Sequence, residues 1–128
     1  MTPATRSANV YAADCPTRQI LDRVGDKWAV LILLLLRGEP LRFNMLRRAI
    51  EGISQKMLSQ VLKSLERDGL VRRRATPTVP VTVEYSITPL GTTLAAAVDP
   101  LRDWAEANLK EVLAAQRRYD SQHKTIAA

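Results

Sequence analysis

Trp28 to Leu36 is an unbroken run of nine apolar residues, closed at its ends by Lys27 and Arg37. As a helix it is apolar on every side, so it belongs at the centre of a domain, buried all round, with the rest of the chain arranged about it. It is far short of the ~20 residues that cross a bilayer, which argues against a membrane span. The remainder can supply a core. Of 128 residues 46% are apolar and 25% charged, the composition of one soluble globular domain and not of a disordered or collagen-like chain.

The punctuation around this run divides the chain. Residues 1–14 have no periodicity and read as a mobile arm. Cys15-Pro16 opens a helix, proline being favoured at the first helical position, with Ile20, Leu21 and Val24 as its apolar set and Gly25 at its end. Asp26 is placed to cap the central helix, which runs to about Arg37; Gly38 would supply a left-handed stop and Pro40 forbids continuation. Phe43 to Ile50 reads as a short helix with Phe43, Leu46, Ala49 and Ile50 inward and Asn44, Arg47 and Arg48 outward. After the turn Glu51-Gly52-Ile53, Ser54 caps a helix to about Arg67. Its apolar stripe is Met57, Leu58, Val61, Leu62 and Leu65, and Gln55, Lys56, Ser59, Gln60 and Lys63 lie opposite. Two helices joined in this way form a helix-turn-helix unit, whose second helix enters the DNA major groove.

Gly69 closes that helix and the period changes. Leu70 to Thr76 and Val81 to Thr88 are β-branched segments separated by the loop Pro77 to Pro80, the second alternating Val81, Val83, Tyr85 and Ile87 against Thr82, Glu84 and Ser86. This is a hairpin, and a basic hairpin directly after a helix-turn-helix is a winged helix, its tip reaching phosphates or the minor groove. Thr88-Pro89 starts a helix carrying Leu90, Leu94 and Val98, and Asp99-Pro100 starts another with Leu101, Trp104, Ala105, Leu109, Val112 and Leu113 on one stripe. Beyond about Gln116 the chain is polar and reads as a frayed tail, leaving 15–115 as the folded domain. The last helix exceeds a minimal winged helix yet keeps a wide apolar face. Either its own domain or a partner subunit covers it, with the first helix and Ile20 as companion in the second case. The fold expected is therefore mainly α with a small β-hairpin (α+β): a winged helix-turn-helix with additional N- and C-terminal helices for dimerisation.

Charge points the same way. The formal net charge is +6. Between Arg42 and Arg74 stand nine bases and three acids, a net +6, while the remainder holds ten of each. Scattered bases would merely solvate a surface, whereas a concentrated stretch is the footprint of a polyanion binder. Gln55 and Gln60 can bond adenine bidentately and Lys56 can bond guanine; Ser54, Ser59 and Lys63 can serve bases or phosphates. Arg42, Asn44, Arg47, Arg72, Arg74 and Thr76 are the candidates for backbone and wing contacts.

One cysteine, Cys15, excludes an intramolecular disulfide framework, and one histidine, His123, leaves no His/Cys cluster for a metal. No cofactor is expected. Nucleophile–base pairs at motif spacing and phosphate-cradling glycine loops are absent, which argues against an enzyme. The N-terminus has Arg6 but no apolar signal region, so a cytoplasmic location is expected.

The blocks Cys15-Pro16, Gly25-Asp26-Lys27-Trp28, Leu41-Arg42-Phe43-Asn44-Met45-Leu46, Gly52-Ile53-Ser54-Gln55-Lys56-Met57-Leu58, Leu65-Glu66-Arg67-Asp68-Gly69-Leu70-Val71, Val83-Glu84-Tyr85-Ser86-Ile87-Thr88 and, more loosely, Leu101-Arg102-Asp103-Trp104 closely resemble the HxlR family of bacterial winged-helix transcriptional regulators. Asp26 departs from the pattern, which usually has a second glycine there. The resemblance implies a homodimer built on terminal helices, with Ile20, Leu101, Trp104, Leu109 and Val112 as interface candidates. It implies binding to palindromic double-stranded DNA, and two-fold symmetry would set the reading helices about 34 Å apart. Some relatives sense electrophiles or oxidants through a cysteine at the position of Cys15. Here the helix dipole and Arg18 favour the thiolate while Asp14 opposes it. The effector would then be a thiol-reactive small molecule; the plainer alternative is a small buried residue at a helix start. Two other readings stay open: a small-molecule ligand in an apolar cleft lined by Trp28, Trp104 and Phe43, and a winged helix used for protein contacts.

Overall fold

The computed structural model describes Tyr11 and residues 16–127, with side chains as far as His123. The expected arm, Tyr11 apart, and Cys15 lie outside the described residues. The elements are α1 (Pro16–Gly25), α2 (Lys27–Leu36), β1 (Leu41–Arg42), α3 (Phe43–Ala49), α4 (Gln55–Arg67), β2 (Val71–Thr76), β3 (Thr82–Ile87) and α5 (Pro89–Ala127). This is a mainly helical winged helix-turn-helix with a small sheet. The chain falls into two units, divided between Ala95 and Ala96.

In the first unit Asp26 caps α2 as its position predicts, its carboxylate accepting the N–H groups of Trp28 at 2.9 Å and Ala29 at 3.3 Å. Ala29, Ile32, Leu33 and Leu36 of α2 are buried against Leu46 of α3, Leu58, Val61, Leu62 and Leu65 of α4, and Leu41 and Val71 of the sheet. The central helix is not covered all round, however: Leu31 remains 42% exposed, and α1 contributes no buried residue to close that side. Nor does Gly38 act as a left-handed stop. Positive φ occurs only at Gly52 and Gly69 among the described residues. The last turn of α2 instead tightens through Arg37 N–H to Leu33 O and Gly38 N–H to Leu35 O, at 3.1 and 3.3 Å. Ala49 and Met57, expected inward, are exposed, because each lies at the edge of its helix's apolar stripe.

The sheet has three antiparallel strands in the order β1-β3-β2. β1 is only two residues long and has no period of its own to detect; it is recruited by pairing Leu41 with Tyr85 and Arg42 with Glu84. β3 is thereby central. All its residues are half-buried, in place of the alternation that an edge strand would show.

Two helix ends and both strand roots meet at one junction. Helix α4 ends at Asp68 with Gly69 at φ +77°, Gly69 N–H on Glu66 O at 3.0 Å and Leu70 N–H on Leu65 O at 2.9 Å. This is a Schellman motif, sealed by burial of Leu65 and Leu70. Thr88 ties the start of α5 to it: Thr88 N–H donates to Leu70 O at 3.1 Å, Thr88 Oγ1 donates to Gly69 O at 2.7 Å, and the same hydroxyl oxygen accepts Gly91 N–H at 3.0 Å. Arg23 of α1 reaches the same corner, with Nε 2.5 Å from Asp68 Oδ2.

α5 corrects two expectations. Asp99-Pro100 does not separate two helices, since Pro100 lies inside one helix of 39 residues. The run Leu94-Ala95-Ala96-Ala97 has high helix propensity on the approach, and Arg102 pairs with Asp99 at 3.3 Å across the proline. Helix also replaces the frayed tail after Gln116 and continues to Ala127. Polar side chains support it locally at i,i+4 spacing: Asn108 Nδ2 donates to Trp104 O at 2.8 Å, and the Tyr119 and His123 rings stack at 3.7 Å.

Candidate nucleic-acid interface

The helix-turn-helix corner is set by Ile50-Glu51-Gly52-Ile53. Ile53 N–H bonds Ile50 O at 3.4 Å and Gly52 sits third in the turn at φ +90°, the conformation a type II turn requires. Ser54 Oγ then accepts Met57 N–H at 3.0 Å and starts α4. The capping bond occupies the Ser54 hydroxyl oxygen as an acceptor, leaving its proton to donate outward.

With Leu58, Val61, Leu62 and Leu65 buried, α4 turns Gln55, Lys56, Gln60 and Lys63 fully outward. Ser59 is half-buried at the margin of that face. Arg67 is exposed one turn beyond Lys63 and two beyond Gln60 and extends the row, a residue that helical spacing alone could have added to the candidates. On α3, Asn44 and Arg47 share a shallow surface hollow with Arg48, whose Nε donates to Asn44 O at 3.3 Å. Arg48 was identifiable as outward-facing, and its i,i+4 relation to Asn44 is what brings it into the group.

The wing's register sorts its arginines. Arg72 pairs with Ser86, Arg73 with Tyr85, Arg74 with Glu84 and Thr76 with Thr82. Tyr85 and Ile87 pack against the core, so Arg73 shares their side of the sheet, while Arg72, Arg74 and Thr76 lie on the opposite side with Arg42. The tip carries no basic residue. Pro77 to Val81 is exposed and held by Thr78, whose N–H bonds Thr76 O and whose Oγ1 donates to Pro80 O, both at 2.8 Å. Positive charge thus sits on the body of the wing.

Trp28 and Phe43 are partly buried and pack against the core. In the first unit Ile20 is 59% exposed; in the second, Leu101, Trp104, Leu109 and Val112 are all exposed. Among the described residues no group of three or more His, Cys, Asp or Glu could hold a metal ion, and no helix is long and apolar enough to cross a membrane.

A family model described as HxlR-like helix-turn-helix matches residues 23–113. The HTH-type transcriptional regulator YtfH of Escherichia coli is 50% identical over 109 residues, covering 85% of this chain and 86% of that protein. A solved structure of a ytfH transcriptional regulator from Salmonella typhimurium superposes with TM-score 0.79 at 48% identity, over 85% of this chain and 97% of its own. The reduced form of the transcriptional regulator YodB from Bacillus subtilis matches with TM-score 0.64 at 38% identity, over 72% and 91% of the two chains. The diamide-treated form of YodB matches with TM-score 0.64 at 36% identity, over 75% and 96%. These relatives are transcriptional regulators and not enzymes, and the chain belongs with them to the HxlR-like helix-turn-helix family of DNA-binding transcriptional regulators.

Proposed function

We propose that the protein is a homodimeric, sequence-specific repressor that reads an inverted repeat in duplex DNA. Gln55, Lys56, Ser59, Gln60 and Lys63 face the major groove, Ser54 holds the start of the helix, and Arg42, Asn44, Arg47, Arg72, Arg74 and Thr76 grip the backbone. The observation that carries this reading is the outward face of α4, where exposed amide and amine groups stand with a half-buried hydroxyl at their margin on a helix fixed at both ends. Glutamine and lysine there can discriminate bases; the arginines anchor without reading sequence. Each unit also leaves large apolar side chains uncovered, Ile20 and Leu21 on α1 and Leu101, Trp104, Leu109 and Val112 on α5, which a second copy of the chain would bury. A dimer seated on its operator represses by occluding a promoter that overlaps it.

For the signal, the reading rests on sequence chemistry and on kinship. Cys15 stands directly before the proline that opens α1, and the relative YodB exists in reduced and diamide-treated forms. An electrophile can alkylate a thiolate at a helix start, and an oxidant such as diamide, taking up two electrons and two protons, can join it to a small thiol or to its twin across the dimer.

Selection of bound duplexes from a random pool tests the reading as a whole. An inverted repeat with half-sites about one helical turn, or a small multiple, apart is expected; sequences without two-fold symmetry would refute the symmetric dimer. Diamide or a quinone should weaken operator binding of the wild type and spare Cys15→Ser, and equal loss in both, or none in either, would remove the thiol input.

A further inference from the structure

Helix α1 is thinly seated. It contributes no buried residue, and of its ten residues only Thr17, Arg23 and Val24 are half-buried. A single residue, Asp26, joins it to α2. Its last turn nevertheless carries a charged contact across 45 residues of sequence: Arg23 Nε donates to Asp68 Oδ2 at 2.5 Å, with both side chains partly buried. Asp68 gains nothing as an acid from its own helix. It directly follows α4, where the helix dipole disfavours a carboxylate, and backbone N–H groups already close that end. The guanidinium offsets the penalty and ties α1 to the helix that carries Gln55, Lys56, Gln60 and Lys63 on its outward face. On the same α1, Ile20 and Leu21 are 59% and 52% exposed, apolar side chains that a second copy would bury.

We propose that Arg23 is a positioning residue for operator recognition: its pair with Asp68 pins α1 to α4 and so sets the half-site spacing that the dimer accepts. The inference rests on the symmetric-dimer reading above. Where α1 carries interface contacts and α4 reads bases, the two reading helices of a dimer are held apart only as firmly as each α1 is held to its own α4. One base pair added between half-sites moves them apart by about 3.4 Å and turns them by about 34°. A dimer that follows the displaced half-sites shifts α1 against α4. Because one residue links α1 to α2, the Arg23–Asp68 pair is the contact that such a shift breaks. In this scheme the pair touches no DNA; it penalises wrongly spaced sites and leaves the properly spaced one alone.

The test uses the full-length protein and three duplexes: the inverted repeat selected from the pool, and the same repeat with one base pair added or removed between its half-sites. Wild type should bind the respaced duplexes more weakly. Arg23→Ala and Asp68→Asn should each shrink that penalty about two- to fivefold for every pair the displaced dimer breaks, the worth of one partly exposed ion pair. The double variant should shrink it no further, and Arg23→Lys, which keeps the charge, should retain most of it. The two single substitutions change net charge in opposite directions, so a shared effect on the ratio of affinities cannot come from attraction to phosphate. A wild-type penalty in both single variants, or a wild type indifferent to spacing, would overturn the proposal while leaving the dimer intact. Additive effects in the double variant would overturn it too. If the selected sites lacked two-fold symmetry, the symmetric dimer and this inference would fall together.

Discussion

Replacing Gly91 by alanine adds one methyl group where the fold has no room for it. A Cβ built there stands 2.2 Å from Leu70 O, 2.7 Å from Ile87 Cγ1 and 3.1 Å from Leu70 C. Carbon atoms attract best at about 3.5–4.0 Å, so the clash with the carbonyl oxygen exceeds what a rotamer change could relieve. That carbonyl cannot swing away cheaply, because it accepts Thr88 N–H, and the Leu70 N–H closes the end of α4 on Leu65 O. Ile87 is fixed too, paired with Val71 in the sheet. The start of α5 must therefore move off the sheet, weakening the Thr88 bonds. Overpacking of this kind costs about 1–3 kcal/mol and a compromised hydrogen bond adds about 1, while alanine's better helix propensity returns at most about 1. The net expectation is a loss of about 1–3 kcal/mol, which at roughly 4 °C per kcal/mol for a chain of this length lowers Tm by about 4–12 °C. Urea and thermal unfolding of Gly91→Ala measure it. Gly25→Ala is the control: nothing lies within 4 Å of a Cβ there, and its Tm should be unchanged or slightly raised. A Gly91→Ala protein melting within about 2 °C of wild type would refute the reasoning, since overpacking of this severity should cost more than the ~0.5 kcal/mol such a shift represents.

Three further expectations concern the same surface and its supports. The Arg23–Asp68 pair has side chains 28% exposed on each partner, so solvent screens it, and a double-mutant cycle with Arg23→Ala and Asp68→Asn should give a coupling of about 0.5–1 kcal/mol at low salt; a cycle that closes at zero would make the contact incidental. Ser54→Ala removes the cap of α4 and should cost about 1 kcal/mol in urea unfolding, with Ser54→Asp restoring stability; if Ser54→Asp unfolds as readily as Ser54→Ala, the hydroxyl is not acting as a cap. Lys56→Ala should relax discrimination among duplexes, whereas Arg72→Ala should weaken all of them alike and flatten the salt slope by about 1; the reverse pattern would exchange the roles assigned to helix and wing.

Much of this architecture was legible from local chemistry. Asp26, Ser54 and Gly69 are each a residue type with one strong positional preference, and each caps or ends the helix that the pattern assigned to it. The outward row of α4 followed from five apolar positions at helical spacing, of which all but Met57 are buried. What sequence could not supply was set by partners distant along the chain. β1 exists because β3 lies beside it, and its arrival makes β3 central and erases the expected alternation of burial. Pro100 misled for a different reason: a residue before proline and an aspartate are start signals, but alanine-rich sequence upstream carries the helix through them. The relation of Glu84 to Arg42 and Arg74 spans 42 and 10 residues of sequence and appears only in the register.

The junction at Gly69, Leu70, Thr88 and Gly91 has a mechanical consequence. It joins the end of α4, both roots of the wing and the beginning of α5 through backbone hydrogen bonds and a contact too close for a side chain. Helix and wing consequently behave as the two prongs of one fork, and the spacing between the outward row of α4 and the arginines of the wing is set by the protein alone. Residues inserted at Pro77 to Val81 would lengthen one prong and leave that gauge untouched; a single residue inserted between Gly69 and Leu70 would reset it.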